Sequence, residues 1–186
     1  GGDTGFSSGY TYGATTPTSG LYTVTNDASL ADPSFTGLGH GGSGDFMVVN
    51  ANMTYGTDVW CQTFNVAPNN DYYFSAWLST LVLDDPALLQ LTVNGTPVGA
   101  PFTTPPFGVA TWSEFWYIWN SGNNTSITLC IENITTTTGP TAFGLDDVTF
   151  APFCENTAQV TVTVNPLPVV DAGADVSICI GDDAQL

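Results

Sequence analysis

The residues of this chain best suited to chemistry are aromatic and acidic, and they are interleaved. The stretch WSEFWYIW, residues 112–119, carries five aromatic side chains in eight positions, with the carboxylate of Glu114 among them. Read as a β-strand, it sends Phe115, Tyr117 and Trp119 to one face and Trp112, Glu114, Trp116 and Ile118 to the other. Two other stretches repeat the pattern. DYYFSAWLST (71–80) separates Tyr72, Phe74, Ala76 and Leu78 from Tyr73, Ser75 and Trp77, and ALLQLTVN (87–94) separates Leu89, Leu91 and Val93 from Leu88, Gln90 and Thr92. The first set of each is a core row. The second sets, where their strands lie side by side, make an outer shelf of Tyr73, Trp77, Gln90, Trp112, Glu114 and Trp116. Such a surface holds sugars, because apolar C–H faces stack on rings while carboxylate and amide groups take the hydroxyls. The row equally fits a face covered by a loop, a second domain or a neighbouring subunit, since exposed aromatic patches mark interaction surfaces in general.

Catalytic chemistry has little to stand on. His40 is the single histidine, in the loop GLGHGGSGD, and no nucleophile motif or strong base partner accompanies it. Glycoside hydrolysis needs two placed carboxylates, and no second acid is set opposite Glu114 by the sequence. The expectation is therefore a non-enzyme. The acidic pairs Asp84-Asp85, Asp146-Asp147 and Asp182-Asp183 suit hard cations, which take several oxygen ligands. Neighbouring residues on a strand diverge, so at most one of Asp146 and Asp147 would face a given ion; the other two pairs read as solvated turns or caps. Asn52, Asn94, Asn123, Asn124 and Asn133 each begin an N-x-S/T sequon, which matters only in a host that glycosylates it.

The elements that must position these residues are strands. Helical periodicity is absent, Thr, Val, Asn, Gly and Pro are abundant, and strand-like runs fall at 21–26, 45–51, 59–66, 71–80, 87–94, 111–120, 125–133 and 143–150. Turn residues divide them at Ala67-Pro68-Asn69-Asn70, Asn94-Gly95 and Ser121-Gly122-Asn123. Eight or nine short strands in about 150 residues imply an all-β, antiparallel two-sheet sandwich of the jelly-roll kind. After Phe150 the pattern changes to one alternating strand (Val160, Val162, Val164), a Pro-Leu-Pro hinge and the start of another β-rich unit, giving a C-terminal extended β segment. The expected division is a sandwich module at 1–153, a strand and Pro-rich linker at 154–168, and the start of an incomplete repeat at 169–186. Such a terminal strand, at 159–164, suits pairing with an open sheet edge of a neighbouring subunit. The chain reads as a processed or truncated piece of something longer.

Charge narrows the partners. The 186 residues include 17 Asp or Glu and no Lys or Arg, for a formal charge of −17, where an ordinary chain mixes both signs. No Lys or Arg salt bridge exists, so the fold rests on burial and hydrogen bonds, with bound cations as possible helpers. Nucleic acid and anionic lipid surfaces are repelled. No membrane-inserting span is visible. The same bias leaves trypsin-like proteases nothing to cut, although habitat or a long repetitive surface protein would also account for it. The four cysteines, Cys61, Cys130, Cys154 and Cys179, have no CxxC spacing, which removes metal-finger and thioredoxin readings. Cys61 and Cys130 lie within strand runs, away from the apolar rows, and are candidates for a cross-strand disulfide, other pairings staying open.

Several motifs together resemble a known family: DTGFSSGYTY, GSGDFMVVNA, VWCQTFNVAPNNDYYFSAWLST, WSEFWYIWNSGNN and FGLDDVTF. They are similar to the carbohydrate-binding-module-like, galactose-binding-like jelly rolls of large secreted Bacteroidota surface proteins. The tail, VTVTVNPLPVVDAGADVSICIGDD, resembles the junction of immunoglobulin-like or polycystic-kidney-disease-type repeats in those proteins, gliding-motility adhesins among them. The resemblance implies export by the type IX route and an extracellular, cell-surface location. It further implies a non-catalytic structural or adhesive module of a long adhesin or filament, with neighbouring modules or subunits of that filament as partners. A glycan-binding module using the aromatic shelf is the alternative. It also implies a structural Ca2+, with Asp146 or Asp147 as first ligand and Asp45 and Asp3 behind them. The Asn-x-x-Phe-Glu strand that usually opens such modules is not found ahead of Gly1, so a complete calcium site does not carry over.

Overall fold

The computed structural model describes residues 5–52, 54–83, 86–108, 111–136 and 141–154, all within one unit that ends at Cys154. The expected linker beyond Cys154, the strand at 159–164, the repeat start at 169–186, Asp3, Asp84-Asp85 and Asp182-Asp183 lie outside the described residues.

The strands are β1 (Thr11–Tyr12), β2 (Leu21–Thr25), β3 (Phe46–Asn50), β4 (Thr57–Asn65), β5 (Asp71–Thr80), β6 (Leu88–Val93), β7 (Thr96–Thr103), β8 (Ser113–Asn120), β9 (Ser126–Asn133) and β10 (Ala142–Pro152). They form a six-stranded sheet ordered β1-β2-β3-β10-β5-β8 and a four-stranded sheet ordered β4-β9-β6-β7. Pairing is antiparallel except between β1 and β2. This is the two-sheet jelly-roll sandwich that the strand count implies. Every strand expected from sequence within the described residues is present. β7 was not anticipated: Pro97, Gly99 and Pro101 mask its pattern, and such residues are tolerated because β7 is an edge strand.

Alternation builds the core. Tyr22, Val49, Phe74, Leu78, Phe115 and Phe143 of the larger sheet meet Val59, Leu89, Leu91, Ile127, Leu129 and Ile131 of the smaller one. In the β5–β8 ladder Tyr72 faces Trp119, Phe74 faces Tyr117 and Ala76 faces Phe115, so the first aromatic row is the inner one, as alternation requires.

The outer face of the six-stranded sheet carries a second, smaller core. Phe46 and Val48 of β3, Ala142 of β10 and Leu81 are buried there beneath Phe35 and the short helix α1 (Ala28–Ala31), whose N-cap Asp27 accepts from the Ser29 amide. Each large side chain so buried contributes about 1.5–3 kcal/mol relative to exposure. That fixes the base of a strap, residues 27–44, which runs over part of the sheet's outer surface and into the single-turn 3-10 segment His40–Gly42.

Candidate binding face

β5 and β8 are neighbours, and their ladder pairs Trp77 with Glu114, Ser75 with Trp116 and Tyr73 with Ile118. Because strand side chains alternate, all six stand on the outer face. At the open end Trp116 is 56% exposed, with Ile118 beside it. The Tyr73 and Trp116 rings lie side by side, 6.3 Å between centroids and 25° from parallel. The Tyr73 hydroxyl donates to Glu114 Oε1 at 2.9 Å. Desolvation holds the Tyr73 phenol above its ordinary range, the Glu114 carboxylate reinforces this and a Ser75 hydrogen bond pulls the other way, so the phenol remains a donor. The result is a small flat platform of two rings with an acceptor at its margin.

The strap covers the rest of the row. The His40 ring stacks on Trp77, with centroids 3.8 Å apart and planes 17° from parallel. The His40 backbone N–H donates to Asp146 Oδ2 at 2.9 Å, and His40 Nδ1 lies 2.9 Å from Asp147 Oδ2, where the carboxylate is the acceptor. Trp112, just ahead of β8, donates its indole N–H to the Leu38 carbonyl at 3.1 Å and packs edge-on against Phe46, at 5.5 Å and 84°. Gly144 makes room for it: a Cβ there would stand 2.8 Å from Trp112 Cη2. The six residues expected to form one shelf therefore divide. Tyr73, Glu114 and Trp116 remain open, Trp77 is capped, and Trp112 belongs to the second core.

Gln90 requires a correction. It lies on β6 in the other sheet, buried, where its amide donates to the carbonyls of Leu91 (2.9 Å) and Val98 (3.0 Å). Alternation placed it on an outer face correctly; sheet membership, which alternation does not encode, put that face on the far side of the sandwich. His40 is the converse case, a residue of this face that strand periodicity could not place because it sits in a glycine-rich loop.

The acidic pair of β10 also departs from simple alternation. The β10–β5 register shifts between Asp146 and Thr149, and Asp147 takes φ +46°, the left-handed region that Asp tolerates better than most residues. Both carboxylates consequently reach the same residue, His40, and Asp146 Oδ1 also accepts the Asp147 amide at 2.8 Å. Asp45, Asp146 and Asp147 line one shallow concavity of about 190 Å3, floored by Phe6, Met47 and Trp60. Among the described residues, the one group of three candidate ligand atoms within 4.8 Å of one another is Asp58, Cys61 and Cys130, and its two sulfurs are bonded to each other. A calcium ligand set around Asp146 and Asp147 would need donors beyond these three aspartates.

Cys61 and Cys130 face each other directly in the β4–β9 ladder and form a disulfide, buried on the outer side of the four-stranded sheet. Ser7 bridges Cys61 through two backbone hydrogen bonds along the free edge of β4. Cys154 is a free, exposed thiol, and Cys179 lies outside the described residues.

No protein family and no curated protein matches the chain. Among solved structures it is similar to a protein described as "CBM4 structure and function", with a TM-score of 0.47, 14% identity, and coverage of 71% of this chain and 86% of that one. It is similar too to the CBM22-1 xylan-binding domain of Paenibacillus barcinonensis Xyn10C, with a TM-score of 0.46, 15% identity, and coverage of 58% and 72%. A third is the C-terminal domain of the sugar-binding protein EclA, with a TM-score of 0.46, 10% identity, and coverage of 55% and 76%. These are loose likenesses between sandwiches.

Proposed function

We propose that this chain is a non-catalytic extracellular module that binds an uncharged glycan on the open platform of Tyr73, Glu114 and Trp116. The observation that carries the reading is the pair of rings itself: Trp116 is more than half exposed, lies close to parallel with Tyr73, and has a carboxylate acceptor fixed beside it by the Tyr73 hydroxyl. A large aromatic left open on a sheet face, next to a polar group already oriented, matches the chemistry of a pyranose, with one apolar face and a rim of hydroxyls. The absence of Lys and Arg and the formal charge of −17 set the class of glycan, since sulfates and uronates would find no cation and would be repelled by the whole surface. The disulfide supports an oxidising, exported location. The ladder partner of Glu114 is Trp77, not a second acid, which supports binding over hydrolysis.

A structural or adhesive role in a filament stands as the second reading, and one observation favours it. β8 is the outer strand of its sheet and contains no Pro, Lys or Gly across Ser113–Asn120, and among the described residues no further strand pairs with that edge. A glycan array separates the two. The wild-type chain should retain neutral glycans and pass over sulfated and uronate polymers, and Trp116→Ala should lose retention. No retention of any glycan, together with self-association in sedimentation that Trp116→Ala abolishes, would replace the first reading with the second.

A further inference from the structure

We infer that His40 is a specificity-determining residue of this face: its ring occupies the stacking position over Trp77 and so ends the platform at Trp116. The inference rests on the glycan-binding reading of the open rings and adds to it how long a stretch of glycan they hold.

The ladder places Trp77 opposite Glu114 and Trp116 opposite Ser75, so the two indoles are diagonal neighbours on one face, a relation of about 7–8 Å between backbones. A linear glycan stacked on Tyr73 and Trp116 and continued along the row would meet Trp77 next. His40 is already there, stacked at 3.8 Å and 17°, the contact a ligand ring would make on the same indole. No sugar reaches that ring without displacing the imidazole.

The strap is built to keep the ring in place. Backbone bonds such as Thr36 N–H to the Leu81 carbonyl seat its base, and three side-chain contacts, from the His40 backbone to Asp146, from His40 Nδ1 to Asp147 and from Trp112 to the Leu38 carbonyl, hold its far part against the sheet. Two of the three end on His40 itself. Gly41, Gly42 and Gly44, which follow it with φ +80°, +84° and +93°, meet no atom within 4 Å of where a Cβ would stand, so they are required for backbone direction and not for space. Asp147 holds a left-handed conformation in the β10 bulge and presents its carboxylate to the imidazole. The imidazole stands outside the inner core between the sheets; besides Trp77 it meets the Trp112 ring edge-on, with centroids 6.0 Å apart and planes at 65°. These features together serve to hold one planar ring over one indole.

The test measures affinity against ligand length, with uncharged cello- and xylo-oligosaccharides from disaccharide to hexasaccharide as probes. For the wild-type chain, affinity should stop rising once the oligosaccharide spans Tyr73 and Trp116. For His40→Ala, affinity for the shortest probes should be unchanged while the longest gain about three- to ten-fold, the worth of one added aromatic stacking contact. The gain should vanish in the His40→Ala/Trp77→Ala double variant, which separates a new subsite from a general loosening. Asp147→Asn, which leaves the ring in place and weakens its tether, should show a smaller gain at the same lengths. Slow hydrogen exchange at the Trp112 indole N–H, preserved in His40→Ala, shows that the strap stays seated. Coincident length profiles for wild type and His40→Ala, with Trp116→Ala still losing binding, would overturn the inference and leave the binding reading intact. Absence of binding at every length in all variants would overturn both.

Discussion

Removing the Cys61–Cys130 bond should lower the stability of the sandwich by about 4 kcal/mol. The two residues are separated by 69 positions, and cross-linking a loop of that length removes unfolded-chain entropy equivalent to about 4.4 kcal/mol at 25 °C in the loop-closure relation. They face each other in the β4–β9 ladder, whose backbone pairing on both sides of them does not depend on the bond. The native state should therefore survive its loss, and the effect should fall on the unfolded ensemble. For a chain of this size 1 kcal/mol moves the melting temperature by about 2–4 °C, so a drop of about 8–16 °C is expected. The assay is calorimetric melting of the Cys61→Ala/Cys130→Ala variant and of the reduced wild type, with Cys154 and Cys179 changed to serine throughout to prevent exchange. The two routes should agree and the denaturant m-value should rise, because an unlinked chain exposes more surface. A loss below about 1 kcal/mol by both routes would refute the entropic reasoning, which depends on the loop being unconstrained when the bond is open. Collapse of the fold instead would show that the bond holds the native ladder, also against the reasoning.

Three further outcomes follow from particular contacts. Trp116→Ala removes an exposed side chain and should change stability by no more than about 0.5 kcal/mol while abolishing glycan retention, checked by melting and array binding on one preparation. Gly144→Ala drives a methyl group toward Trp112 Cη2 and the Phe46 ring, 2.8 and 3.0 Å away, and should cost about 1–3 kcal/mol while speeding exchange of the Trp112 indole N–H; unchanged exchange would show that Trp112 is not seated against that backbone. Burial raises the Tyr10 phenol above 10.0 in the folded chain, against the opposing pull of hydrogen bonds with Asn133 and the Asn52 backbone. A raised folded value favours the neutral form, so its contribution is fully present below pH 10.0 and is lost as pH climbs through the folded value. Alkaline unfolding should accordingly be shallower in Tyr10→Phe than in wild type.

Much of this architecture was legible because period-two alternation is a local property. Tyr72, Phe74, Ala76 and Leu78, with Phe115, Tyr117 and Trp119, declare an inner row without knowledge of any partner strand, and the observed ladder puts them opposite one another. What alternation leaves out is which sheet a strand joins. Gln90 shares its spacing with Trp77 yet is buried against the backbone of β7, because β6 joins β9 and β7, and no residue of β6 announces that pairing. The cover over the outer face was illegible for a different reason. Residues 27–44 contain five glycines and only one turn of α-helix, so neither period applies, and the burial of Phe35 and the partial burial of Trp112 against that segment depend on contacts far apart in sequence.

The pair Asp146-Asp147 shows how a local rule can fail and still inform. On an unbroken strand the two carboxylates would point to opposite faces, which is why only one was expected to meet a given partner. The bulge between Asp146 and Thr149 adds residues to one strand without a counterpart on the other, and Asp147 turns left-handed to absorb them. Both acids then converge on His40. Asp147 meets the imidazole and Asp146 accepts from the His40 backbone N–H, and together they hold the residue over Trp77. Replacing Asp146 and Asp147 together by Asn should leave both hydrophobic clusters packed and loosen the His40 ring, read as faster quenching of Trp77 fluorescence in a variant retaining only that tryptophan on the face. Unchanged quenching would mean that stacking alone secures the strap.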